Sequence, residues 1–108
     1  MTTRRQGDVF IRSLTKAAAE KLKAGMKEIP RDKGRVVLAY GEVTGHSHAI
    51  SEQAVRFLTN DAALRILEIR EPATLRHEEH RAFELPVGDY EVTIQREWHR
   101  KSIFTVAD

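Results

Sequence analysis

Short apolar and β-branched runs bounded by polar turn signals recur along this chain, and they predict strands. Asp8-Val-Phe-Ile-Arg12 reads as a short first strand after Gly7. Val36-Val37-Leu38-Ala39-Tyr40 is the most strand-like run. It is expected to continue past Gly41, a bulge or a close backbone approach, through Glu42 and Val43 into His46 and His48. Residues 54–58 and 63–70 predict two more strands around the turn Thr59-Asn60-Asp61. Pro72 marks a break, and Leu85-Pro86-Val87-Gly88-Asp89 a turn into the run Tyr90 to Trp98. There Tyr90, Val92, Ile94 and Trp98 share one face, with Arg96 interrupting, and residues 103–106 form a last short strand.

One segment departs from that period. Ser13 or Thr15 can N-cap a helix over residues 16–24, rich in alanine, lysine and glutamate and stopped by Gly25. Leu14, Ala18 and Leu22 then fall on the face expected against a sheet. Residues 26–35, with Pro30, Asp32-Lys33-Gly34 and four basic residues, suit a mobile connection able to grip phosphate. Residues 73–85 have helical propensity after Pro72, but flanking strands favour a hairpin. In a helix His77 and His80 share a face; in a hairpin turning at Glu78-Glu79 they oppose each other with Cβ atoms about 5 Å apart. Seven to nine strands and one helix make a mainly β, single-domain chain, a small β-barrel or sandwich.

Composition narrows the classes. With 108 residues, 41% hydrophobic and 31% charged, the chain has the makeup of one small globular domain. No cysteine is present, which excludes disulfides, thiolate nucleophiles and Cys-ligated metals. The longest apolar run, Val36 to Tyr40, is far below a membrane span, and no apolar segment follows Arg4-Arg5 as a secretory signal would require. A cytoplasmic protein with no membrane association is expected. A net charge of +2 leans only mildly toward anionic partners.

The candidate chemistry sits in two tetrads, Gly45-His46-Ser47-His48 and His77-Glu78-Glu79-His80, which hold four of the five histidines. His-x-His places two imidazoles on one side of an extended backbone, with Ser47 on the other. His46, His48, His77 and His80 are therefore the expected ligands of a divalent transition metal (Zn, Fe, Mn, Ni or Cu), with Glu52, Glu78 or Glu79 as an added ligand or acid/base group. Three protein ligands would leave a position for water or substrate, as in a metal-dependent hydrolase or oxidoreductase. Four imidazoles would lean toward a structural or storage role.

Two other readings stay open. Without metal, one histidine can act as base and another as acid, with Lys33, Arg35, Arg96 or Arg100 holding a phosphate, as in a nuclease or phosphodiesterase. Alternatively Gln95-Arg96-Glu97-Trp98-His99-Arg100-Lys101, basic with one aromatic, suits a non-catalytic nucleic-acid- or protein-binding module. Small-molecule or phosphorylated substrates, nucleic acid and a second copy of the chain are the partners these readings name.

Two resemblances add to this. Gly41-Glu-Val-Thr-Gly-His46-Ser-His48 with Glu52 resembles the first motif of the cupin superfamily, and Pro86-x-Gly88 is similar to the turn of its second. That likeness implies a metal-binding barrel with His46, His48 and Glu52 as ligands. Gly41 stands one position closer to His46 than in that motif, and His77 and His80 precede the Pro-x-Gly turn rather than follow it. The fourth cupin ligand thus has no matching position. A wider set, Gln6-Gly-Asp-Val9, Gly41 to His48, His77-Glu-Glu-His80, Leu85-Pro-x-Gly88-x-Tyr90-x-Val92 and Gln95-Arg-Glu97, is similar to a family of short uncharacterised proteins in bacterial and phage genomes.

Overall fold

A computed structural model describes residues 3–40, 46–60 and 64–94. The fold is mainly β with one helix. Thr3–Gln6 (β1) and Val9–Leu14 (β2) form a hairpin whose two-residue loop begins with Gly7 at φ +59°. Asp8 has no positive φ, so the loop follows the Gly-x pattern of a type II′ turn, which suits the strand twist. β2 then pairs with Gly88–Ile94 (β10), which pairs with Arg65–Ile69 (β7), then Val55–Thr59 (β6) and finally Lys27–Glu28 (β3). Every pairing in this six-stranded sheet is antiparallel. Among the described residues β1 and β3 are its edges and the pairing does not close into a ring.

Two further hairpins, Val36–Tyr40 (β4) with Ser47–Ile50 (β5) and Ala73–Leu75 (β8) with Phe83–Leu85 (β9), lie across this sheet. Backbone bonds in both directions between Ala49 and Arg76, 3.0 and 2.9 Å, join β5 to the end of β8. The core lies between the two layers. Val9, Ile11, Phe57, Leu67, Ile69, Tyr90, Val92 and Ile94 from the sheet meet Val36, Leu38, Ile50, Leu75 and Leu85 from the hairpins. Alternation predicted this face in β10, where Tyr90, Val92 and Ile94 are all buried.

The opposite sheet face carries the helix Lys16–Lys23 (α1). Thr15 caps it, its Oγ1 accepting from Ala18 N at 3.1 Å. Ala24 and Gly25 (φ +81°) then form a tight turn that brings Met26 N to Lys23 O. The helix does pack on the sheet, but not through the expected Ala18–Leu22 stripe: Leu22 is exposed and Ala19 is the buried residue. One turn on from Ala19, Lys23 lays its stem along the sheet and donates to Glu68 (2.7 Å) and Asp89 (3.0 Å). Ion pairing, which periodicity does not register, rotates the helix. Among the described residues no helix is long and apolar enough to cross a membrane.

Three further expectations are corrected. Arg4-Arg5, which by sequence suit a terminal tail, lie instead in the edge strand β1, with Arg4 over the Phe83 ring and Arg5 over Phe10. β4 does not run on into the histidines; β5 pairs back on it antiparallel, with a register shift between Val37 and Ala39. Residues 26–35 are tied down by Arg31, whose guanidinium donates to the carbonyls of Gly34, Glu52, Gln53 and Val55. The expected bulge at Gly41 and the strand over residues 103–106 lie outside the described residues, as do Arg96, Trp98 and Arg100.

Candidate functional site

The Ala49–Arg76 backbone pair sets one tetrad beside the other. It holds β5, with His48 in it and His46 just before it, against the segment connecting β8 to β9, with His77 and His80. Residues 73–85 form the hairpin favoured from the sequence, but its register centres on residue 79 and its paired strands end at Leu75 and Phe83. His77 and His80 therefore stand in the connection rather than facing each other as a cross-strand pair. Their rings still meet, with centroids 4.7 Å apart. His77 also lies 4.2 Å from His48 and 5.8 Å from His46, and His48 lies 6.0 Å from His80. All four predicted rings converge.

His48 is the most firmly held. It is buried, and its Nδ1 lies 2.8 Å from Gln6 Oε1. The same amide donates from Nε2 to Leu75 O and Arg81 O, both at 3.0 Å, which leaves Oε1 as the acceptor. His48 Nδ1 therefore donates to Gln6 Oε1, and the other ring nitrogen, Nε2, lies 3.6 Å from Asp8 Oδ1. Between them comes Gly7: a Cβ there would sit 2.8 Å from His80 Nε2 and 3.2 Å from His48 Cε1. The β1–β2 turn thus forms one wall of the site.

His46, His77 and Glu78 make the tightest set of donors, each offering one atom within 4.8 Å of the others. Glu78 Oε1 accepts from Ser47 N at 2.9 Å. That bond, with a second from its own backbone N–H, holds the carboxyl below the usual range. Burial pushes the His77 ring below its ordinary value, and the neighbouring His80 adds to this, so the neutral ring is favoured. His77 Nδ1 accepts from Glu79 N at 3.0 Å. Glu79 Oε2 lies 3.5 Å from His46 Nδ1.

A family description, domain of unknown function DUF8820, matches residues 5–95, a span that includes Gln6, Asp8 and both tetrads. The chain belongs to that family. Among curated proteins and among solved structures nothing matches the chain.

The other predicted residues of this DUF8820 chain divide. Glu52 Oε2 accepts from Thr74 N at 3.2 Å, and its buried Oε1 has no hydrogen-bond partner among the described residues. Lys33 is exposed at φ +54°. Arg35 is half-buried and donates from Nη1 to Ser47 Oγ at 3.2 Å, which places the Ser47 hydroxyl away from His48, as the alternation implied. Gln6, Gly7, Asp8 and Arg76 carry no signal of function in the sequence beyond the family resemblance of Gln6-Gly-Asp-Val9.

Two imidazoles and a carboxylate form a nitrogen and oxygen donor set suited to divalent d-block ions. Ligand atoms on one tetrahedral ion with bonds near 2.1 Å lie about 3.4 Å apart. The 4.8 Å set would have to draw in by up to about 1.4 Å, and the Glu78 carboxylate is exposed.

Proposed function

We propose that this chain binds a divalent transition-metal ion through His46, His77 and Glu78, with His48, and His80 beside it, completing the cluster. The observation that carries the reading is the approach of two ring nitrogens and a carboxylate oxygen from segments some thirty residues apart. Two features support it. Ser47 N–H favours the ionised form of Glu78, and the Gln6 amide holds His48 through Nδ1, the arrangement that outer partners of metal-bound histidines supply.

Glu78 rather than Glu52 fills the carboxylate role. The cupin-like ligand set would use Glu52, whose Oε2 accepts from Thr74 N. A three-ligand ion keeps a coordination position for water or substrate, so the activity we infer is metal-assisted hydrolysis or oxidation of a small molecule. As a ligand through Nε2, His77 would need its proton on Nδ1 and would give up the bond from Glu79 N.

Elemental analysis of untagged protein tests the reading. Near-stoichiometric metal is expected in the native chain, with most of it lost in His46→Ala/His77→Ala. Less than about a tenth of an equivalent, with no thermal stabilisation on adding Zn, Mn, Fe(II) or Ni, would overturn it.

A further inference from the structure

Beside the histidines opens a cleft of about 350 Å³. Arg35 and Arg76 line it together with Ser47, Ser51, His77 and Glu78. Both arginines are rooted in fixed backbone. Arg35 exchanges backbone bonds with Asp32 (2.8 and 3.1 Å), and Arg76 with Ala49. Elsewhere arginines find carboxylates: Arg12 pairs with Glu91, and Arg56 and Arg70 with Glu68. Among the described residues neither Arg35 nor Arg76 has a carboxylate within ion-pair distance. Two guanidiniums and two serine hydroxyls on one cleft form a donor-rich wall, and guanidinium forks match the oxygens of phosphate and carboxylate.

We propose that this cleft binds the oxyanion of a small substrate, a phosphoryl or carboxylate group, between Arg35 and Arg76. The reacting end then extends past His77 and Glu78 toward the metal proposed above. The choice of reacting end rests on that metal reading; the oxyanion subsite does not. The volume is near the lower end for ligand pockets, which fits a small metabolite. Glu78, on the same wall, would repel a free anion, but its charge is matched when it ligates a cation.

The test uses metal-stripped full-length protein, so that metal cannot hold the anion. Inorganic phosphate and acetate are titrated by calorimetry at low ionic strength, with circular dichroism as a check on folding. Saturable binding is expected in the native chain, weakened at least about tenfold, or about 1.4 kcal/mol, in Arg76→Gln and in Arg35→Gln. Arg76 is exposed, so its variant should remain folded. Arg12→Gln, which removes one positive charge outside the cleft, should change the affinity by less than about threefold, or roughly 0.7 kcal/mol. Tighter phosphate than acetate assigns a phosphoryl ligand, and the reverse a carboxylate. Absent binding, unchanged affinity in both Arg35→Gln and Arg76→Gln, or an equal loss in Arg12→Gln would each overturn the proposal. Phosphate binding in a protein that takes up no metal would sink the metal reading and leave the oxyanion cleft standing.

Discussion

Gln6 Oε1 and His48 Nδ1 lie 2.8 Å apart, and both side chains are buried. Gln6 is also pinned by two carbonyls of the β8–β9 hairpin, so one amide ties three segments together and fixes the orientation of the His48 ring. Replacing it with Leu keeps the volume but orphans Leu75 O, Arg81 O and His48 Nδ1. A stability loss of about 1–3 kcal/mol is expected in urea unfolding. Metal affinity should fall by about 10–100-fold, as for other outer partners of histidine ligands. Unchanged affinity in a folded Gln6→Leu protein would separate the amide from the site.

Gly7 presents a different constraint. Its φ of +59° disfavours any residue with a Cβ, and that Cβ would press on His80 Nε2 at 2.8 Å and His48 Cε1 at 3.2 Å. His80 is exposed and can swing away, whereas His48 is held by Gln6. Gly7→Ala should therefore cost about 1–2 kcal/mol, mostly backbone strain, while separating the two rings. NMR of the ring protons should show His80 shifting more than His48. The opposite order would mean that the Gln6 bond does not fix His48.

Glu78→Gln separates charge from shape. The amide oxygen can still accept from Ser47 N, and the side chain is exposed, so stability should change by less than about 0.5 kcal/mol. Metal uptake should nevertheless drop, since a neutral amide oxygen is a poor ligand for a d-block ion. Full metal occupancy in this variant would remove Glu78 from the ligand set.

What the sequence revealed depended on whether each signal was local. Tyr90, Val92 and Ile94 alternate within five residues, so β10 and its buried face could be read directly. β1 could not: Thr3-Arg4-Arg5-Gln6 has no apolar residue, and it pairs only because β2 offers an edge and Phe83 and Phe10 receive the arginines. The helix was legible through Thr15 and Gly25, but its rotation was not, because Glu68 and Asp89 lie 45 and 66 residues from Lys23. The histidines stood out by density and spacing, and they do converge. Their partners Gln6 and Asp8 come from a turn forty residues upstream, where a glutamine and an aspartate look ordinary until the sheet brings them in.

Glu68 offers a test on the face away from the histidines. Its carboxylate is buried on β7 and receives Lys23 (2.7 Å), Arg56 (2.8 Å) and Arg70 (2.9 Å). Desolvation alone would push this carboxyl up, but the hydrogen bonds and charges of Arg56 and Lys23 outweigh it and hold it at about 2. In the unfolded chain the group titrates near 4.5. As pH falls from neutral, the unfolded state therefore takes up its proton first. Glu68 contributes its full stabilisation above about pH 4.5 and loses it progressively down to about pH 2. The difference of about 2.5 units corresponds to roughly 3 kcal/mol. Glu68→Gln should cost about that much at pH 7 and almost nothing near pH 2, so urea midpoints of the two proteins converge on acidification. Parallel curves from pH 7 to pH 2.5 would show that the three cations do not depend on the Glu68 charge.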